Sequence, residues 1–418
     1  MSGRPDPSRA GFDDRLDERK AKAGRWKAAF LAAASLAVVS LAVLVLSIVD
    51  DAFGYVVIRY AVNPAELTDG RELAELTDGE LLELLQAQAP ARRLRALERE
   101  APLAGRGHDE LLSLIEAEIL KPEIAAAYSL AESLFDKRRI VEESKAEFPD
   151  GYLSFRSWLS PSFLGSSLNA KPLSTGVLTA IKGTFLTILV AMATALPLGV
   201  AAAVWLEEYA RDNWLNRLIQ ASIYNLAGVP SIVYGMLGLA VFVRLLAPLS
   251  SGAVFGLAAE GMEANGRTVL AAGLTLALLV LPVIVISTQE ALKAIPSTLR
   301  ASSLALGATR WQTVWHHVLP ASAGRVMTGA VLALSRAIGE TAPLVVVGAS
   351  TFLTQDPTGI FSPFTTLPIQ IYQWTSRPQP EFRHLAAAAI ITLLGLMLIL
   401  NAFAIVARQK ARAKGNPS

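Results

Sequence analysis

The 418-residue sequence contains no cysteine, so disulfide bonds, thiolate zinc sites and thiol nucleophiles are excluded. No HExxH motif and no GxxxxGK[ST] loop occurs, and the four histidines show no metal-binding spacing. Charged residues are also scarce, at 18%, whereas about 25% is usual for a soluble domain. We therefore expect no metal, no cofactor, no catalytic residues and no nucleotide-hydrolysing site within this chain.

Hydrophobic residues make up 52% of the chain, and the net charge of +2 gives no overall attraction to nucleic acid. The apolar residues are concentrated in long runs. The first run, Ala28–Val49, is 22 residues without a charge, and a membrane-spanning helix needs about 20. A cleaved signal peptide is the alternative, but no A-x-A site precedes Asp50. We interpret the run as an uncleaved membrane anchor.

Five further apolar runs follow, and only helices satisfy the backbone over spans of this length in lipid. The second of these five is interrupted by the sequence GVPS at Gly228–Ser231. The sequence therefore predicts an all-α polytopic membrane protein with six transmembrane helices. They lie at 28–49, 176–205, 219–246, 268–287, 322–349 and 385–407.

The basic residues predict how the chain is oriented in the membrane. They are concentrated in the 1–27 tail, the connection after the second span, the 290–320 segment and the 408–418 tail. Alternate threading of six helices puts all four on one side, which the positive-inside rule makes cytoplasmic. We therefore expect residues 50–175 to form a mostly helical domain on the opposite, periplasmic side. Its aromatic end, Phe148–Ser167, either packs on the membrane face or forms a small sheet.

The 290–320 segment has the pattern of two short helices joined by a tight turn. We expect Gly307 to end the first helix, Thr309 and Gln312 to form a capping box for the second, and Pro320 to end it. Trp311 is suited to the membrane–water boundary. The pattern fits a knob that enters a groove on a partner protein, or an interfacial loop without a partner.

A charged pair lies inside the fifth apolar run. Arg336 is 11 residues beyond Arg325, which places it roughly 16 Å into the membrane. A charge at that depth costs about 2.5–3.5 kcal/mol, so it should face a partner or a wet cavity. Glu340 is one turn further on, followed by Thr341 and Pro343. Either the pair is an internal bridge between helices, or it lines a solute pathway in which arginine binds an oxyanion through two hydrogen bonds.

Part of the 290–320 segment resembles the cytoplasmic "EAA" loop of ABC importer permeases. Gly307, Leu319 and Pro320 match that pattern, whereas Ala301 stands where the family has glutamate. In the family this loop docks on a separate ATPase. The resemblance implies ATPase-contacting residues in the turn and the following helix. They are Leu306, Gly307, Ala308 and Trp311.

Three further stretches resemble the PstA family, the permease subunits of phosphate-specific ABC importers. They are RAIGETAPL (336–344), NLAGVPSIVYG (225–235) and LAAGLTLALLVLPVIV (270–285). The resemblance implies a type I ABC permease core over 176–407, with Arg336, Glu340 and Thr341 in the substrate pathway. Its implied helix breaks are Pro230, Ser231 and Pro343.

The resemblance also implies partners and a location. They are a PstC-like second permease forming a heterodimer, a PstB-like ATPase dimer that carries ATP hydrolysis, a PstS-like periplasmic binding protein, and the bilayer of the bacterial inner membrane. Three other functions stay open from the residues alone: import of another oxyanion such as sulfate or molybdate, ion-coupled secondary transport, and a phosphate-sensing scaffold. Lys182 and Arg244 are candidates for a second basic group in the pathway, but each lies near a helix end, where we expect it instead to extend towards water.

Overall fold

The computed structural model describes residues 7–62, 64–68, 71, 73–256, 266–348, 353 and 356–415. It begins with helix α1, Pro7–Ala52. The helix therefore runs through most of the predicted 1–27 tail, whose first six residues lie outside the described part. Proline suits the first turn of a helix, because its missing amide hydrogen has no intrahelical acceptor there. From Leu16 onward, α1 is long and apolar enough to cross a membrane.

A small antiparallel sheet follows α1. Its strands are β1 Phe53–Arg59, β2 Glu123–Ala127 and β3 Tyr152–Ser157, in the order β2-β1-β3. β3 comes from the aromatic stretch for which a small sheet was one of two expectations. β1 and β2 were not predicted from the sequence, because their partners in the sheet lie about 70 to 100 residues away.

Helices pack around this sheet to form what we call the inserted domain, residues 53–175. Thr77 and Glu80 form a capping box at the start of one of them. A separate core of buried leucine and isoleucine side chains, including Leu81, Leu111 and Ile115, stabilises the domain by about 1.5–3 kcal/mol per buried side chain. The helices are α2 Pro64–Leu67, α3 Asp78–Gln88, α4 Ala91–Glu100, α5 His108–Ile115, α6 Leu130–Phe135, α7 Lys137–Glu147 and α8 Pro161–Gly165.

The second half of the chain is a helical bundle. Three of its helices continue into π-helical turns, at Trp205–Tyr209, Leu239–Leu245 and Val314–Val318. The helices are α9 Leu178–Val204, α10 Trp214–Ala227, α11 Ser231–Gly238, α12 Ala247–Ser250, α13 Val269–Lys293, α14 Ser297–Ala305, α15 Arg310–Thr313, α16 Leu319–Gly339, α17 Ala342–Val347, α18 Leu367–Thr375 and α19 Pro380–Gly415.

Within the described residues, five helices are long and apolar enough to cross a membrane, or six if the bent pair α10–α11 is one span. This agrees with the all-α fold class and the six predicted transmembrane helices. The bend between α10 and α11 is 105°, at the predicted GVPS interruption. Two ends differ from the prediction: α16 stops at Gly339, ten residues before the predicted end of its span, and α19 continues to Gly415 through the basic tail.

The expectation that Pro320 ends a helix is wrong. Residues Arg310–Gly339 form one continuous helix of 30 residues. Pro320 lies in the first turn of α16, directly after the π-helical turn Val314–Val318. An interior proline removes one amide donor, and the wider π turn accommodates that loss without ending the helix. Leu292 and Glu290 also belong to the end of α13 rather than to the following short helix.

The long helices give the bundle two distinct ends. The last turn of α1 meets the start of α19, where Nδ1 of His384 lies 2.6 Å from the carbonyl oxygen of Asp51. These residues lie at what we call the inserted-domain end. The start of α13 lies there too, where Thr268 forms a β-bridge with Pro363. The end of α13, α14 and the start of α16 lie at the other end, which we call the coupling end. α19 runs from the inserted-domain end towards the coupling end, where Arg408 lies beside Thr328 of α16.

Candidate functional site

Arg336 lies in the last turn of α16 and contacts Glu340. The Nε atom of Arg336 is 3.3 Å from Oε1 of Glu340, and the two side chains are 38% and 19% exposed. Glu340 is the only hydrogen-bond partner of the Arg336 side chain among the described residues. No described residue therefore engages the two terminal guanidinium nitrogens, which can donate to a further acceptor.

The packing of α16 on α13 sets the depth of this pair. Ala337, next to Arg336, belongs to a buried cluster that includes Leu279 and Val280. Leu279 is ten residues from the start of α13 and fourteen from its end, or about 15 Å and 21 Å along the axis. Arg336 thus lies near the middle of the bundle, where a charged side chain needs water or a counter-charge.

The fifth span breaks directly after the charged pair. Glu340 adopts an extended backbone conformation after the last helical residue, Gly339. A new short helix, α17, begins at Ala342 with Pro343 in its first turn. Thr341 lies in the break itself. Proline cannot donate to the preceding turn, so the helical hydrogen bonding stops at the point where the polar side chains are grouped.

The third span is also broken, at a position that lies against the break in the fifth span. α10 ends at Ala227, and Pro230 directly precedes Ser231, the first residue of α11. The buried hydroxyl of Tyr234 donates a hydrogen bond of 2.7 Å to the carbonyl oxygen of Leu226. That carbonyl lies in the last turn of α10, where it also accepts the backbone amide of Val229 at 3.1 Å. Tyr234 therefore holds the two arms of the break together, a role that spacing in the sequence does not indicate.

The two breaks lie against each other. A Cβ atom added at Gly235 would be 2.7 Å from Cα of Pro343 and 2.9 Å from its carbonyl oxygen. Only glycine permits such a close approach of two backbones. Tyr234 and Ala337 also share one buried cluster. The structure therefore brings Pro230, Ser231 and Pro343 into the region of Arg336 and Glu340.

The coupling segment, residues 294–318, has the local geometry that its sequence indicates. Gly307 has a φ of 86° and separates α14 from α15, and Thr309 and Gln312 form a capping box. Leu306 beside the turn is 90% exposed, and Trp311 is stacked on Trp315 at a centroid distance of 5.4 Å. Ala308 completes this protruding turn. An exposed leucine and an exposed tryptophan pair at one turn form an apolar surface suited to a partner protein.

An ion pair fixes the coupling segment to α9, which the sequence analysis missed. Arg300 on α14 donates to the Glu208 carboxylate at 2.7 Å from Nη2 and 3.1 Å from Nε. Arg300 also donates to the backbone carbonyls of Leu292 and Ile295, both at 2.9 Å. The two adjacent glutamates at the end of an apolar run were the available signal. α14 cannot move independently of α9 while these hydrogen bonds persist.

A second polar cluster joins α9 to the loop before α18 at the inserted-domain end. The Asp356 carboxylate accepts hydrogen bonds from Lys182 at 2.7 Å, Thr179 at 2.6 Å and Ser167 at 2.9 Å. Burial raises the pKa of Asp356, but these three hydrogen bonds lower it further than burial raises it, so the pKa lies below its ordinary value. Lys182 therefore pairs with a carboxylate here, whereas its place near a helix end predicted that it would extend to water.

Comparison with known proteins identifies the family. Residues 195–413, more than half of the chain, match the model of the binding-protein-dependent transport system inner membrane component. The chain therefore belongs to this family of transport permeases. The match includes the two helix breaks, Arg336 and the coupling segment, although it begins partway along α9.

Individual relatives agree with this family. A probable ABC transporter permease, YqgH of Bacillus subtilis, is 35% identical over 50% of this chain and 65% of its own length. The phosphate transport system permease PstC of Xylella fastidiosa is 35% identical, covering 55% of this chain and 71% of the relative. PstA of Yersinia pestis is 33% identical with the same two coverages. Both kinds of Pst permease are thus similar to this chain, which is an ABC-type permease.

Proposed function

We propose that this chain is the permease subunit of an ATP-driven importer that carries inorganic phosphate across the bacterial inner membrane. One observation carries the proposal: a guanidinium near mid-depth, 38% exposed, that contacts one glutamate among the described residues and lies beside two broken helices. The names of the PstC and PstA relatives support phosphate as the solute. Sulfate and molybdate share the oxyanion chemistry, and the competition with sulfate described below tests this alternative.

Arg336 acts in this proposal as the transient binding group for the anion. Its planar guanidinium matches two oxygens of a phosphate, and a charge-assisted bond of this kind is roughly twice as strong as a neutral one. Glu340 holds the guanidinium in place when the pathway is empty and repels a bound anion. This competition keeps binding weak enough for release, which a transport pathway requires. Thr341 and Ser231 supply hydroxyl groups at the two breaks.

The proposed arrangement in the membrane places the coupling end and both termini in the cytoplasm. In this proposed arrangement the coupling segment and the basic residues of the 1–27 and 408–418 tails face the cytoplasm, as the positive-inside rule requires. The inserted domain then faces the periplasm. The proposed partners are a PstC-like second permease, a PstB-like ATPase dimer at the coupling segment and a PstS-like binding protein on the periplasmic side.

ATP-driven movement enters the bundle through the coupling segment. Leu306, Gly307, Ala308 and Trp311 contact the ATPase in this proposal. The Arg300–Glu208 ion pair passes the displacement of α14 to α9, which packs along α13. Because α13 also packs on α16, the displacement reaches the helix that carries Arg336. The expected result is alternating access around the two breaks.

The decisive experiment is uptake of radiolabelled phosphate by cells that carry Arg336→Lys. Lysine keeps the charge but loses the two-pronged donor geometry, so we expect uptake to fall by about tenfold or more. Arg325→Lys is the matched control, since Arg325 is an exposed arginine on the same helix and its exchange should leave uptake unchanged.

Competition and loss of the ATPase complete the test. Excess sulfate should not reduce phosphate uptake, and deletion of the ATPase should abolish it. Normal uptake by the Arg336→Lys variant would refute the role of the guanidinium. Full inhibition by sulfate would reassign the solute, and uptake that persists without the ATPase would favour an ion-coupled transporter.

A further inference from the structure

A cavity of about 300 Å³ lies in the inserted domain, far from the charged pair in the bundle. Its walls come from the sheet, from the end of α5 and from the segment that leads into α9. The polar residues lining it are Tyr60, Ser113, Glu116, Tyr152, Arg156, Lys171 and Ser174. Nothing in the transport function proposed above uses this cavity.

Arg156 on β3 is the most deeply placed cation of the cavity. Its Nη2 atom donates to the backbone carbonyl of Leu173 at 2.7 Å, and its guanidinium lies 5.1 Å from the ring centre of Trp158. Burial lowers the pKa of Arg156. No carboxylate lies within 4.0 Å of it among the described residues. A partly buried guanidinium without a counter-charge is costly, and a bound anion would reduce that cost.

Lys171 and two tyrosines add donors around Arg156. The Lys171 ammonium donates to the carbonyl oxygen of Ala117 at 2.6 Å and, like Arg156, has no carboxylate partner among the described residues. The hydroxyl of Tyr60 donates to the hydroxyl of Tyr152 at 3.2 Å, which leaves the Tyr152 proton free for a ligand. Burial and the Tyr152 contact raise the pKa of Tyr60, so the Tyr60 hydroxyl stays protonated at neutral pH.

The charge balance of the cavity favours an anion. Its lining has two cations, Arg156 and Lys171, and one carboxylate, Glu116. Glu116 and Lys171 are both exposed to solvent, where water and salt screen their opposite charges, so the half-buried Arg156 decides the sign of the field in the cavity. Arg156 is more buried, so its field on a bound group is stronger.

We propose that this cavity binds a small oxyanion, held between the Arg156 guanidinium, the Lys171 ammonium and the Tyr152 hydroxyl. The ligand class is a tetrahedral or carboxylate anion that fits within the cavity. Bound there, it bridges β3 to the segment 171–174, which leads within four residues into α9. Occupancy of the site therefore stiffens the connection between the inserted domain and the helix that carries the Glu208 contact.

The test follows the chemical reactivity of Lys171 in the purified full-length chain. Acetylation of each lysine is measured by mass spectrometry at constant ionic strength, with inorganic phosphate, sulfate or chloride as the probe. Phosphate or sulfate should slow the acetylation of Lys171 at least about fivefold, while chloride should not. Lys145, an exposed lysine on α7, is the internal control and should react equally in all three.

Variants separate this site from the transport pathway. Arg156→Gln should abolish the protection of Lys171. Tyr152→Phe changes a partly exposed side chain and is therefore safer for folding; it should weaken binding of the anion about threefold or more. Arg336→Lys should leave the protection intact, which makes the result independent of the proposed transport function. Equal reactivity of Lys171 with and without oxyanion, or protection that survives both cavity substitutions, would overturn the proposal.

Discussion

Substitution Glu208→Gln tests whether the coupling segment is fixed to α9 as the structure indicates. Arg300 and Glu208 are 23% and 11% exposed, and the guanidinium makes bonds to both carboxylate oxygens and to two backbone carbonyls. Glutamine preserves the shape of the side chain and one acceptor oxygen. It removes the charge and leaves the largely buried Arg300 without its counter-ion.

The magnitude follows from the burial of the pair. Removal of one partner from a fully buried ion pair costs about 3–5 kcal/mol. Both side chains keep some contact with solvent, and glutamine still accepts one hydrogen bond, so we expect about 2 kcal/mol for the opening of α14 away from α9. Since about 1.4 kcal/mol corresponds to a factor of ten, the population of the open state should rise about 30-fold.

Hydrogen–deuterium exchange of the α14 amides measures this opening directly. In the Glu208→Gln variant these amides should exchange about 30-fold faster, while the amides of α13 stay unchanged. Lys293→Gln is the matched control beside the same pair. Lys293 is 47% exposed and 3.9 Å from Glu207, and such exposed pairs contribute less than about 1 kcal/mol. If the exchange rate of the α14 amides rises less than threefold in Glu208→Gln, the Arg300–Glu208 pair does not fix α14 to α9.

Two further substitutions test other contacts. Gly235→Ala should lower the free energy of unfolding by about 1–3 kcal/mol, because its Cβ would lie 2.7 Å from Pro343. Gly228→Ala, where a Cβ meets nothing closer than 3.5 Å, should be nearly neutral; equal thermal stability of the two variants would contradict the close approach. Asp356→Asn should destabilise the protein at pH 7. Because the folded pKa of Asp356 is lowered, its contribution is present above the unfolded pKa of about 3.9 and lost as the pH falls further. The difference in melting temperature from the wild type should therefore shrink below about pH 4, and a constant difference would argue against the lowered pKa.

The elements that the sequence predicted well are those fixed by local physical chemistry. The membrane helices follow from runs of apolar residues, and the turn at Gly307 follows from glycine's low cost in the left-handed region. The capping box of Thr309 and Gln312 needs only residues three positions apart. These features do not depend on distant parts of the chain, so their spacing in the sequence was sufficient.

The features that the sequence did not predict depend on distant contacts. The approach of Gly235 to Pro343 joins residues 108 positions apart, and Glu208 and Arg300 are 92 positions apart. Proline's effect at position 320 also depends on context, since the π turn before it absorbs the missing donor. A spacing rule assigns each residue a local tendency, whereas these outcomes depend on which helices pack together.

α9 is the element through which the two ends of the bundle act on each other. Its 27 helical residues span about 40 Å. Thr179 and Lys182 bind Asp356 near its start, and Glu208 binds Arg300 just beyond its end. A helix of this length transmits a displacement only if both of its ends are bound to neighbouring elements, because otherwise the adjoining loop changes conformation instead. The two polar clusters hold those ends, so in the proposed transport cycle a movement of the coupling segment reaches the loop at the inserted domain. Pro197 lies inside the same helix, and because proline has no amide hydrogen it removes one backbone hydrogen bond and gives α9 a defined point at which to bend.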